Sequence, residues 1–335
     1  MHTGKSYTLP QFIFWTRRSI YVLVVLALVP VALHEFLGLK WLIVPWGVVF
    51  LLGTTVALSA GFKNLQTYNR MQDAQQVWSS IVSASRTWGI LCRDLVPDRE
   101  GAREFAWRHL AWLAALRHRM RRVMPWETAN RAANAEYMRG RAVPEREASL
   151  ESELGRYLSP DELAQVLTAG NPALQVLALQ SRQAQSLLAQ GALAAGAFAD
   201  LTGRLREFQE LQGRCERIKH FPYPRQHAFI NSLFVGILCV LLPFGIVGEF
   251  ERLNALADGW TRGYMIWFSV PLSLLITWMY TSLDRVGEST ENPFEGSAND
   301  VPITQMSRDI EADLRQILGE SSLPPAPRAA NDIAL

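Results

Sequence analysis

Three stretches of this chain, residues 41–62, 228–248 and 263–283, run for 21 or 22 positions without a charged side chain. At about 1.5 Å per residue, a helix of that length crosses the hydrocarbon of a bilayer. A fourth apolar run starts at residue 19 and reaches residue 38 if His34 and Glu35 sit at its far edge. Hydrocarbon offers no partner to backbone N–H and C=O groups, so each run must close its own hydrogen bonds as a helix. Four spans are expected, at 19–38, 41–62, 228–248 and 263–283. Each holds one proline, Pro30, Pro45, Pro243 or Pro271, and the resulting kinks are tolerable where neighbouring helices satisfy the freed carbonyls. Trp15, Trp41 and Trp260 stand near span ends, where indole rings favour the interface. Lys5, Arg17 and Arg18 precede the first run like the n-region of a signal peptide, but no small-x-small cleavage site follows and the next apolar run comes too soon.

The basic residues orient the spans. Lys63, Arg70, Arg86 and Arg93 follow the second, whereas the 249–262 loop, with Glu249, Glu251, Arg252, Asp258 and Arg262, has a net charge of −1. The positive-inside rule then places both termini and the long middle segment of this multi-pass chain in the cytoplasm.

That middle segment, 63–227, carries helix signals and no strand pattern. Val77, Trp78, Ile81, Trp88 and Leu91 form a stripe continuing from the second span. Phe105, Leu110, Leu113 and Leu116 form another beyond Pro97 and Gly101. Ser159-Pro160 and Asn171-Pro172 are N-cap and first-turn pairs, Gly191 is a stop, and a last helix runs from about 194 to 219. The cluster Arg117, His118, Arg119, Arg121 and Arg122 reads as a solvated helix face, with anionic headgroup binding or a positive field at a cytoplasmic mouth as alternatives. The turn-rich, acidic stretch 288–302 lacks the spacing of a calcium loop and reads as a connector. A helix follows over 303–319, and the tail has the composition of a disordered end. The expected organisation is an N-terminus and two spans in 1–62, a helical cytosolic domain in 63–227, two spans in 228–283, a cytosolic C-terminal segment in 284–320 and a disordered tail in 321–335.

Several chemistries are excluded. Cys92, Cys215 and Cys239 have no metal-like spacing, and the six histidines form no HxxxH or HExxH pattern. No phosphate-binding loop, dinucleotide fingerprint or nucleophile elbow occurs, so neither an enzyme nor a cofactor is expected. A net charge of +2 argues against nucleic acid as a partner. A proton-coupled carrier usually keeps acids at mid-membrane, and here only His34 and Glu35 lie at an edge.

Within 41–62, Gly53, Ala57 and Gly61 recur every four residues, a spacing that lets helix backbones approach closely in lipid. Beside them run Thr54, Leu58 and Phe62. Two readings stand: that stripe lines an axis shared by several copies, or it faces lipid on a helix packed inside one monomer.

Four blocks resemble the bestrophin family over about 10–320: Gly61-Phe62-Lys63-Asn64 continuing to Tyr68 and Arg70; Cys215-Glu216-Arg217 before Pro222 and Pro224; Leu241-Leu242-Pro243-Phe244-Gly245 with Gly248; and Glu291-Asn292-Pro293-Phe294 through Ala298-Asn299-Asp300-Val301-Pro302. The resemblance implies an all-α membrane protein, a homopentameric ion channel with four spans per subunit and a helical cytosolic domain, partnered by itself, membrane lipids and permeant monovalent ions. It implies an apolar neck of three rings, Thr54, Leu58 and Phe62, with Thr54 where relatives place an aliphatic residue. A second, cytosolic aperture maps near Gly196, with Phe198 as the nearest large side chain. Animal members bind calcium in an acidic clasp; here only Asn292 and Asp300 correspond, so no metal is expected. The family is known chiefly for anions, although bacterial members can favour cations. A membrane-anchored scaffold and a secondary carrier are the competing classes.

Overall fold

The computed structural model describes residues 4, 7–128, 134, 142–256, 262–320, 323–324 and 334. Lys5, Asp258, Trp260 and most of the 321–335 tail lie outside those residues. Among them every regular element is a helix. The first, α1 (Leu9–Leu37), ends where Gly38 takes φ 63°, a left-handed turn that glycine adopts without a Cβ clash. A single 3₁₀ turn, Lys40–Leu42, leads into α2 (Trp46–Leu95), 50 residues and about 75 Å long. After Pro97, Asp98 caps α3 (Arg99–Arg121) by accepting from the Gly101 N–H at 2.6 Å. Three short helices follow, α4 (Pro144–Glu147), α5 (Leu150–Leu154) and α6 (Pro160–Leu167). Next come α7 (Pro172–Ala189) and α8 (Ala195–His220), separated at Gly191 with φ 71°. The chain then forms α9 (Arg225–Leu256), a 3₁₀ turn at Met265–Phe268, α10 (Ser269–Ser289) and α11 (Ile303–Ile317).

Four of these helices, α1, α2, α9 and α10, are long and apolar enough to cross a membrane. Their shared core is Leu23, Val49, Val56, Val235, Leu238, Cys239, Leu242 and Ile246. A separate, larger core unites the lower half of α2 with α3, α7, α8 and α11 around Trp78, Trp88, Phe105, Trp112 and Phe208. There His109 is wholly buried among Trp88, Trp112 and Phe208, with a ring nitrogen 2.8 Å from Ser85 Oγ. Burial drives its pKa down to about 3, so the imidazole is neutral. Helix α3 is buried around most of its circumference, not only along Phe105, Leu110, Leu113 and Leu116, because its intervening alanines let α7, α8 and α11 close over it.

Two expectations are corrected. Only Pro30 and Pro243 lie inside helices. Pro45 is the N-cap of α2 and Pro271 sits in the first turn of α10, where a missing N–H breaks no helical bond. Apart from Arg122, which is exposed, the basic cluster on α3 is likewise not a solvated face, nor is it open to headgroups. Arg117 and Arg121 are buried: Arg117 pairs with Glu145 at 2.5 Å and Glu153 at 2.6 Å, and Arg121 reaches Asp300 at 3.5 Å. His118 meets Glu153 at 2.6 Å and Arg119 meets Glu216 at 3.2 Å. The acids that neutralise the cluster come from α4, α5, α8 and the segment before α11, all distant in the chain.

The start of α2 fits against α9 through two glycines. A Cβ at Gly245 would lie 2.7 Å from Val49 Cγ2, and one at Gly248 would lie 2.4 Å from Ile43 Cγ2. Both neighbours are β-branched and stiff at χ1, so they cannot swing aside. Gly245→Leu and Gly248→Leu should each cost about 1–3 kcal/mol through overpacking, read as a lower melting temperature in detergent. Unchanged melting would contradict the contact.

Candidate functional site

One face of α2 is committed to contacts within its own chain. Val49, Gly53, Val56, Ala60, Lys63 and Thr67 are buried at three- and four-residue intervals. Thr54, Leu58 and Phe62 point the other way. Each step of four residues turns the helix by about 40°, so the three form a slightly slanted column whose middle member lies nearly opposite the buried face. Leu58 is 66 % exposed and Phe62 65 %. The Thr54 hydroxyl donates to the Leu51 carbonyl at 2.9 Å and is thereby turned back on the helix.

The small residues divide. Gly53 packs inside the subunit, where Tyr280 of α10 donates its hydroxyl to the Gly53 carbonyl at 3.1 Å. Ala57 and Gly61 lie on the outer flank beside the Thr54 column, and a Cβ at Gly61 would meet nothing within 4 Å. Their small size is not needed for any contact within one chain.

Directly below this column sits a polar joint that the spacing of charges had not revealed. Lys63, 3 % exposed, bonds Asp284 of α10 at 2.7 Å. Asp284 also accepts from Asn231 at 2.7 Å and Ser232 at 3.0 Å on α9. Three spans are thus tied at one level. Beside them Gly287 lets α10 approach so closely that a Cβ would fall 2.1 Å from Asn64 Oδ1. The signal was present in the sequence, since Lys63-Asn64 stands in the first resemblance block and Asp284 is the first acid after the last span. Which residue meets which depends on the packing.

Two turns lower, Arg70 donates to the backbone carbonyls of Glu291, at 2.9 Å, and Ile218. The 291–296 stretch is entirely buried. Glu295 accepts from the Thr128 N–H at 2.9 Å and hydroxyl at 3.0 Å, while Arg146 donates to the Glu295 carbonyl. Asp300 accepts from the N–H groups of Gly296 at 2.6 Å and Ser297 at 3.0 Å, and from the Ser297 hydroxyl. Those donors point at the oxygens a cation would need. The Asn292 side-chain nitrogen has no hydrogen-bond partner among the described residues. No group of three or more His, Cys, Asp or Glu able to hold a metal occurs among them. Burial, and then the charge of Asp300, raises the Glu295 carboxyl to about 8.

At the far end of the cytosolic bundle Gly196 lies exposed in the first turn of α8, with nothing within 4 Å of a built Cβ. Phe198 is half-buried and packs against the cytosolic core, so the two aperture candidates point in different directions.

Four apolar helices, one prolonged into a second helical bundle, define a multi-span membrane protein with a fused helical body. The chain belongs to the bacterial/fungal bestrophin family, whose model it matches over residues 13–316. YneE of Escherichia coli (strain K12), a voltage-dependent anion channel-forming protein, is 27 % identical over 291 residues, which is 87 % of this chain and 82 % of that relative. The Salmonella typhi protein of the same name is 26 % identical over 304 residues, 91 % of this chain and 86 % of that one. The fold is that of a bacterial bestrophin homologue crystallised from Klebsiella pneumoniae, with a TM-score of 0.74 at 22 % identity over 90 % of this chain and 98 % of the other.

Two outcomes test the joint. Lys63→Ala leaves Asp284, 16 % exposed, with its Asn231 and Ser232 donors but no cation beside it and should cost about 1–3 kcal/mol, whereas Lys63→Met with Asp284→Asn should recover much of the loss. Melting in detergent reads both. Because the Glu295 pKa is raised in the folded chain, its contribution is fully present below the ordinary carboxylate value of 4.5 and is lost as pH rises through about 8. Glu295→Gln should therefore flatten the decline of melting temperature across that window.

Proposed function

We propose that this chain is one subunit of a homopentameric channel that passes small monovalent anions through an apolar neck, with no cofactor and no catalytic step. The observation that carries the reading is the outward column of Thr54, Leu58 and Phe62, opposite the face of α2 that its own chain covers among the described residues. Around a fivefold axis the column becomes three stacked rings, and an uncharged constriction of this kind gates by dewetting. Ala57 and Gly61, small and open on the flank, suit close contact with the next copy of α2, and Gly53 suits the contact with α10. The channel-forming names of the relatives favour anions.

The same reading assigns 1–62 and 228–283 to the membrane part and 63–227 and 284–320 to a cytosolic body. The positive-inside argument favours cytoplasmic termini in the inner membrane, with lipids around the outer helices. At the cytosolic exit the aperture falls to the exposed Gly196, since Phe198 is occupied by the core.

Purified protein in a planar bilayer should give single-channel currents whose reversal under asymmetric chloride salt follows the anion. Leu58→Ala with Phe62→Ala should raise conductance or open probability several-fold by widening and wetting the neck. Mass measurement in detergent should give five copies. A monomer, or a pentamer whose currents ignore both substitutions, would overturn the neck.

A further inference from the structure

The outward column of α2 does not stop at Phe62. Steps of three and four residues carry the same strip through Leu65 to Asn69, Gln72, Gln76, Ser79 and Ser83, all exposed. The opposite face at these levels, Ala74, Val77, Trp78, Ile81 and Ala84, lies in the cytosolic core, so the strip again points away from the subunit. About one residue in five of this chain is charged, at 19 %, and five successive polar positions facing water without a charge are unusual against that background. Nearby charges are engaged elsewhere. Arg70 is held by two backbone carbonyls, and Arg86 pairs with Asp313 at 2.7 Å. Arg204 and Glu207, which border the groove beside Gln76, Ser79 and Ser83, pair with each other at 2.5 Å. Asp73 lies on the flank of the strip.

We infer that this ladder of amides and hydroxyls lines the ion path below the neck and determines its charge preference, with Gln76 at its centre. The inference rests on the channel reading. An ion leaving a dry constriction needs polar groups in place of lost water, and those groups must hold it weakly enough to release it. Amide N–H and hydroxyl groups solvate an anion, and their oxygens solvate a cation, without the tight hold of a full charge. Because the neck is uncharged, one charge added to the ladder dominates the local field, repeated in every subunit of the ring.

The test uses the full-length protein in planar bilayers under asymmetric potassium chloride. Gln76→Glu should move the cation-to-anion permeability ratio up by about threefold or more and Gln76→Lys should move it down by a similar factor. Gln75→Glu, also exposed but turned about 100° around the helix, should leave the ratio at its wild-type value. Conducting Gln76 variants with unchanged ratios overturn the ladder and leave the channel reading intact. Gln76 variants that lose the wild-type mass in detergent also overturn it, because the strip is then a contact between copies. A wild-type protein without current fails the channel reading itself, and the ladder with it.

Discussion

Helix α2 passes from the apolar bundle into the second bundle as 50 continuous residues, and α3, α8, α9, α10 and α11 all pack along its inner face. In the upper half that face meets α9 and α10 through small and branched side chains, Gly53, Val56 and Ala60. In the lower half it meets α8, α3 and α11 through Trp78, Ile81 and Trp88. A straight helix keeps its azimuth, so one face can serve both cores only if the buried positions keep a 3.6-residue period throughout. They do, and the opposite face is left open from the membrane into the cytosol.

The boundary between the two cores is where charge is buried. Lys63 with Asp284, Arg70 with two backbone carbonyls, and the α3 arginines with Glu145, Glu153 and Asp300 all lie within or just below this level. Such pairs add little net stability, since desolvation offsets their attraction, but an arrangement with either partner missing is costly. Their effect is orientation. Glu153 illustrates the balance: burial pushes its carboxyl up, yet the hydrogen bond to His118 and the charge of Arg117 outweigh that and hold it at about 2. The segment after α10 is drawn into the same layer, so the Asn-Pro-Phe stretch acts as a buried clamp joining α2, α8 and α10.

A rigid α2 also links the two ends of the proposed path. Its upper strip is apolar, Leu58 and Phe62, and its lower strip is amide and hydroxyl, so a rotation of one helix would move both linings together. The joint at Lys63 and the clamp at Arg70, two turns apart, both resist that rotation.

How much of this was legible beforehand varies with the range of the interaction. Span existence, the stop at Gly191, the caps at Ser159 and Asn171 and the stripe from Val77 to Trp88 all follow from local pattern, because hydrophobic periodicity and cap chemistry act within a few residues. The family blocks pointed to α2 as the candidate functional helix. The ion-paired state of the α3 arginines, the Lys63–Asp284–Asn231 joint and the inward turn of Phe198 were not legible, since each depends on side chains brought from distant segments. The repeat of Gly53, Ala57 and Gly61 shows the division most clearly. By itself the sequence determined that a close-packing helix crosses the membrane. Only the tertiary structure decided that Gly53 faces the rest of its own chain while Ala57 and Gly61 face outward, because the azimuth of α2 is set by α9, α10 and the second core together.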